Sequence, residues 1–204
     1  MYSNNGVESY EDVMLLQADK KAQFEVEIEL CIAGIACGEA KALEKLYRLT
    51  KSSVYGYSLS ILRNRHDAED VLQDTYVKVF TSSDSYHPGG KPLAWILTIT
   101  RNLAADKFRA YKKLAYFDED TAEALFTDTS LEDSEDKMLL EAAMNILDYD
   151  ERQIVMLHAV SGFLHREIAE FLKIPLSTVL SKYNRSIKKL KNAMEGKYDG
   201  NNRE

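Results

Sequence analysis

The chain is expected to be all-α: two helical domains joined by an acidic linker, the second domain a helix-turn-helix. Three observations point there. Only three prolines occur in 204 residues and none precedes Pro88, so nothing interrupts long helices over the first part of the chain. Apolar residues recur at spacings of three and four, the period of a helix with one buried face. Nine glycines and three prolines are too few for the turns of an all-β fold of this length.

Residues 1–33 read as an N-terminal extension without a recognisable motif. They begin MYSNNGVESYEDV, acidic rather than basic and without a following secretory apolar core, so no signal peptide is expected. The longest apolar or small run, Leu30 to Cys37, is far short of the ~20 residues that span a bilayer. A cytoplasmic protein is expected. Cys31 and Cys37, six apart on a helical pattern, point to different faces and form neither a disulfide framework nor a metal knuckle. Both are expected to be buried small apolar residues.

The net charge of −7 would by itself argue against a nucleic-acid partner, but the charge is segregated. Residues 91–113 carry +5 and residues 182–197 carry +5, separated by −12 over residues 114–151. Asp118 to Asp136 holds nine acids and no base, with no sustained apolar period. Residues 114–137 are therefore expected to be an acidic linker, either a solvated tether, or a polyanion mimic that lies in a basic channel of a partner, or a screen over the two basic stripes until that partner arrives.

A first helical domain is expected over 34–113. Ala68, Val71, Leu72, Thr75, Tyr76, Val79 and Phe80 form a core stripe, with Asp67 placed to cap the helix. The opposite face carries Glu69, Asp70, Gln73, Asp74 and Lys78. Such a face is most often only solvated, yet Asp70, Gln73 and Asp74 make a compact acidic patch able to dock a basic partner helix. TSSDSYHPGGKP then reads as a loop. The basic element after it, LAWILTITRNLAADKFRAYKK, reads as a helix, with Leu93, Ile96, Ile99, Leu103 and Phe108 recurring at helical spacing. Arg101, Asn102, Lys107, Arg109, Lys112 and Lys113 accompany Trp95 and Phe108, beside a loop bearing Tyr86 and His87. Cations interleaved with aromatics suit single-stranded nucleic acid, the cations tracking phosphates and the π-faces receiving unstacked bases.

The second domain is expected over 138–197, with a short tail at 198–204. One helix runs from Glu151 to Val160 and stops at Ser161-Gly162, a second runs from about His165 to Leu172, and a third opens near Ser177. Val179, Tyr183, Ile187, Leu190 and Met194 would face the core. Helix, tight turn, helix is the arrangement that lays its second helix in a major groove. Thr178, Ser181, Lys182 and Arg185 would meet bases and backbone, with Lys188, Lys189 and Lys191 nearer phosphates.

The strings DAEDVLQDTYVKVF, AWI followed by ITRNLAADKFR, and ERQIVMLHAVSGFLHREIAEFLKIPLSTVLSK resemble the sigma factors of bacterial RNA polymerase. The resemblance is to the small extracytoplasmic-function (ECF) type that keeps only regions 2 and 4, and it covers about residues 34–113 and 138–195. It implies that Asp70, Gln73, Asp74 and Lys78 lie on the helix that grips the polymerase β′ coiled coil. It implies that the loop from Ser82 to Lys91 captures a flipped base of the minus-10 element, and that Arg101, Asn102 and Arg109 meet the non-template strand. Region 4 would read the minus-35 duplex. Core polymerase (β′ and β subunits), promoter DNA and an anti-sigma factor are the implied partners. The chain departs from the family at Thr178-Val179-Leu180-Ser181-Lys182, where a basic pair is usual, and at Asp148, where a proline commonly opens region 4. Lysine lacks the bidentate fork of arginine, which weakens or alters the expected minus-35 contact.

The expected function is promoter-specific transcription initiation, with polymerase bound, minus-35 and minus-10 elements recognised and the duplex melted. A rival of another class is a sigma-like decoy that binds an anti-sigma partner without promoter function. The retained cations of both stripes favour the first, since a decoy has no use for them. No enzyme is expected: there is no Ser-His-Asp or Cys-His order and no phosphate-binding glycine loop. His66, His87, His158 and His165 have no metal-ligand spacing, and neither metal nor cofactor is expected.

Overall fold

A computed structural model describes the backbone of residues 10–115 and 145–200, and the side chains of 19–110 and 145–193. Most of the acidic linker, and so its screening role, lies outside the described residues. Among the described residues there are seven α-helices and no strand: α1 Tyr10–Ala36, α2 Ala40–Leu62, α3 Arg65–Ser82, α4 Pro92–Ala115, α5 Tyr149–Ala159, α6 His165–Leu172 and α7 Leu176–Gly200. A single 3₁₀ turn, Ser83–Ser85, follows α3.

Helix α2 is the hub, packed against α1, α3, α4 and, across the domain boundary, α5. Ile28, Ile32, Leu46, Val54, Tyr57, Leu93, Ile96 and Leu97 form the centre of the core, all fully or almost fully buried. Each such side chain contributes on the order of 1.5–3 kcal/mol by leaving water. The apolar spacing in the basic element does produce a helix, α4. The extension assigned to 1–33 divides differently, because α1 continues through that boundary and Ile28, Cys31 and Ile32 are core.

Several sequence expectations are corrected by local chemistry. Asn64, not Asp67, caps α3: its side chain accepts from the Asp67 amide at 3.0 Å, and Asp67 lies inside the first turn. Phe80, placed in the core stripe, is 56% exposed, because the buried face of α3 ends at Val79. Cys31 is buried as expected, but Cys37 is exposed in the turn after α1. On α7 the packed face runs through Val179, Tyr183 and Ser186, leaving Ile187 exposed; the side chain of Met194 lies outside the described residues.

Asp148 caps α5. It accepts from the Glu151 amide at 2.8 Å, while Glu151 accepts from the Asp148 amide at 3.0 Å, a complete capping box. The helix therefore opens with two orphan amides satisfied by side chains. Gly162, at φ +68°, makes the left-handed turn between α5 and α6 that other residues resist.

Candidate nucleic-acid interface

The outer face of α3 presents Glu69, Asp70, Gln73, Asp74 and Lys78 to solvent, as the periodicity demands. Val77 and Phe80 are exposed on the same helix, so the acidic patch continues into an apolar one. Sequence reasoning missed this by assigning Phe80 to the core. A groove of about 520 Å³ between α3 and α4 is lined by Asp70, Gln73, Asp74, Leu103 and Lys107. Lys107, expected at DNA, spans it: its ammonium pairs with Asp67 at 2.9 Å and Asp70 at 2.6 Å.

The loop after α3 forms a second groove of about 340 Å³, walled by Tyr86, His87, Gly89, Lys91 and Trp95. The Tyr86 hydroxyl donates to Glu29 at 3.0 Å and its ring lies 5.0 Å from that of Trp95, tilted by 56°. Burial, reinforced by Glu29, pushes the Tyr86 phenol up to about 12, so it stays a neutral donor. His87 is exposed, its Nδ1 2.9 Å from the Ser85 carbonyl. Glu29 was invisible to a motif reading because it lies on α1, far away in sequence.

Of the cations on α4, Arg101 is half-buried and Asn102 exposed. Arg109 pairs with Asp106 one turn earlier, both side chains exposed. The side chains of Lys112 and Lys113 lie outside the described residues.

On α7, Ser181, Arg185 and Lys188 are exposed and Thr178 half-buried near the start of the helix. Arg185 donates from Nε to the Ser181 carbonyl at 3.3 Å, leaving the guanidinium at the surface. Lys182 is different. Its side chain is only 18% exposed and lies between Asp150 at 3.0 Å and Asp148 at 3.4 Å. Lys189 pairs at 2.6 Å with Glu151, whose side chain is buried. These two lysines therefore seat α7 on the N-terminus of α5, whereas Arg185 and Lys188 face outward. Leu176 and Leu180 add exposed apolar surface to the outward side.

Behind the turn of the helix-turn-helix, the imidazoles of His158 and His165 stack at 4.4 Å, and the Tyr183 ring stands edge-on to both. Nε2 of His165 is buried without a hydrogen-bond partner. Burial, then the neighbouring His158, lowers the His165 pKa. No group of three or more metal-ligating side chains occurs among the described residues, nor any helix long and apolar enough to cross a membrane.

The two domains touch. Tyr57 donates its hydroxyl to Gln153 at 3.0 Å, and Arg152 donates from Nε to the Ser60 carbonyl at 3.1 Å. Arg101 reaches across to the Phe171 carbonyl at 2.9 Å.

The chain is similar to known proteins over most of its length. Residues 46–114 match the Sigma-70 region 2 family and residues 137–190 match Sigma-70, region 4. The ECF RNA polymerase sigma factor SigK of Mycobacterium sp. (strain KMS) is 28% identical over 176 residues, covering 82% of this chain and 91% of that protein. SigX of Bacillus subtilis (strain 168) is 26% identical, covering 76% and 84%. Among solved structures, the sigma factor RpoE of Bartonella quintana in complex with the anti-sigma factor NepR aligns with a TM-score of 0.60 at 24% identity, over 76% of this chain and 98% of that one. CnrH in complex with the cytosolic domain of CnrY aligns at 0.57 and 21%, over 83% and 98%.

Proposed function

Since the chain belongs to the ECF group of the sigma-70 family and is a promoter-recognising sigma factor of RNA polymerase, we propose a division of its work among the residues above. Its partners are core polymerase and promoter DNA. Asp70, Gln73, Asp74 and Lys78, with Val77 and Phe80 beside them, form the polymerase-docking face. The Tyr86–Trp95 groove accepts an unstacked base of the minus-10 element, and Arg101 and Asn102 track the adjoining strand. Arg185, Ser181, Thr178 and Lys188 meet the minus-35 duplex, with Lys182 and Lys189 holding the helix that carries them. The first domain takes in α1 together with 34–113, and the second is 138–197.

The observation that carries this division is the Tyr86–Trp95 groove opening on the same domain as an outward acidic helix. One body thereby offers both a docking face and a base-sized aromatic slot. Aromatic walls suit a flipped base because every base has a π-face to stack.

The domain contact bears on mechanism. Minus-35 and minus-10 elements lie about two dozen base pairs apart, roughly 80 Å at ~3.4 Å per pair. Domains packed against each other through α2 and α5 cannot occupy both, so docking on polymerase must separate them. An anti-sigma protein is proposed as a further partner of the free chain. The protein is a transcription factor; we propose that it adds no catalytic step, and that it works where polymerase works, in the cytoplasm.

Run-off transcription with purified core polymerase tests the reading. A start-site-specific transcript that depends on the added chain supports it. Stable polymerase binding without any promoter-specific transcript favours the decoy.

A further inference from the structure

We propose that α7 reads A·T base pairs in the minus-35 duplex through two residues other than its cations: Leu180, set against the C5 methyl of a thymine, and Asn184, set on the edge of an adenine. The inference rests on the sigma reading above and names the bases that the second domain selects.

The fold withdraws a cation from the base-reading stretch and leaves neutral side chains there. Helix α7 opens at Leu176, and the second helix of a helix-turn-helix meets base edges through its N-terminal residues. Lys182 belongs to that stretch, but its side chain is turned in to Asp150 at 3.0 Å and Asp148 at 3.4 Å. Val179 and Ser186, both fully buried, fix the rotation of the helix. Leu180 is then 42% exposed, with Ser181 and Asn184 exposed beside it. Arg185 and Lys188 stand next to them at the surface, placed for phosphates. A lone exposed leucine is ordinary on any protein surface. Leu180 differs because Leu176, one turn earlier and 40% exposed, extends the same apolar edge along the helix that faces the groove.

The chemistry of these two side chains selects the base pair. Each base pair shows the major groove a different set of groups, and thymine alone carries a methyl there. Set against the amino group of cytosine or the acceptors of guanine, a leucine would displace water and return no hydrogen bond. Against a methyl it buries apolar surface instead. The Asn184 carboxamide holds an acceptor and donors in one plane, the pattern that matches N6 and N7 of adenine. Four residues apart, Leu180 and Asn184 are neighbours on the helix surface. They are separated by about 6 Å along the axis at ~1.5 Å per residue, which is about two base pairs at ~3.4 Å each. Two adjacent A·T pairs, or one A·T pair and its near neighbour, therefore satisfy both residues.

The test uses holoenzyme assembled from the full chain and purified core polymerase, with a pool of promoter duplexes whose minus-35 segment is randomised and whose minus-10 segment is pre-melted. Bound duplexes are sequenced. The most enriched one is remade with single thymine-to-deoxyuridine changes, which remove only the C5 methyl, and single adenine-to-7-deazaadenine changes, which remove only the N7 acceptor. One deoxyuridine change should weaken binding about three- to fivefold, the contribution of one buried methyl. One deazaadenine change within about two base pairs of it should weaken binding about two- to tenfold, the contribution of one hydrogen bond. L180A should abolish the first effect and N184A the second, each leaving the other in place. Both side chains are exposed, so circular dichroism should show both variants folded. If every deoxyuridine change is neutral, or costs L180A as much as wild type, Leu180 does not read thymine; the deazaadenine changes decide Asn184 in the same way. Weaker binding of L180A to core polymerase without DNA would make Leu180 a protein contact and overturn its role. Holoenzyme that enriches a minus-35 sequence yet ignores both kinds of base change overturns the readout and leaves the sigma reading standing. Failure of promoter-specific transcription in the run-off experiment counts against the sigma reading itself and takes the readout with it.

Discussion

The ammonium of Lys107 on α4 lies 2.6 Å from the carboxylate of Asp70 on α3, and Asp67 shares the same ammonium at 2.9 Å. The patch expected to grip polymerase and a cation expected to grip DNA are thus joined across one groove. Burial works against the lysine's charge, but the hydrogen bonds to Asp70 and Asp67 outweigh it and hold its pKa above the ordinary value. Lys107 braces α3 against α4.

Replacing Lys107 by Ala should therefore cost stability, roughly 1–3 kcal/mol, because the mostly buried Asp67 loses a charged partner. Asp70→Asn should cost less than ~1 kcal/mol, since that side chain is largely exposed. Urea unfolding measures both. Equal costs would contradict the bracing role.

Reversing charge at Asp74, or replacing Phe80 by Asp, should weaken core polymerase binding about tenfold or more by facing a basic partner with cation or an apolar one with charge. Both side chains point to solvent, so the helical circular-dichroism spectrum should not change. Unchanged affinity in folded variants would remove this face from the docking assignment.

Arg101→Ala with Asn102→Ala should impair open-complex formation, and a template with a pre-melted minus-10 bubble should partly rescue it. Arg185→Ala should instead weaken closed-complex recruitment, by about 1–3 kcal/mol if it contacts a base edge, and the bubble should help little. Lys182→Ala should lower the melting temperature through loss of the Asp148 and Asp150 pairs. Bubble rescue of the Arg185 variant as complete as that of the Arg101 variant would refute the division of labour.

Acid should destabilise the helix-turn-helix through His165. Its folded pKa lies below the ordinary ~6.5, lowered by burial and by His158. The neutral ring's contribution to stability is therefore fully present above the unfolded value. It is lost as pH falls through ~6.5 toward the lower folded value. His165→Phe keeps the stacked ring and removes the proton site. The wild-type stability, measured relative to that variant between pH 7.5 and 5.5, should fall on acidification; a constant difference would show that His165 does not titrate on folding.

The all-α class, the acidic face of α3 and the bounds of α6 were legible in the sequence because they follow from local rules: helical periodicity, the absence of proline, and turn residues at Gly162 and Pro175. Which cations are free to meet DNA was not legible, since pairing is set by what the tertiary fold brings opposite. Lys182 and Arg185 look alike along the chain, yet α5 places Asp148 and Asp150 beside the first while the second remains exposed. Phe80 and Val79 look equally fit for a core, but α3 turns only one of them toward α2 and α4. The Tyr86–Glu29, Lys21–Glu167 and Arg101–Phe171 contacts join residues dozens to more than a hundred positions apart. No periodicity carries such information; only the packing of α1, α4 and α6 around a shared seam brings these groups together.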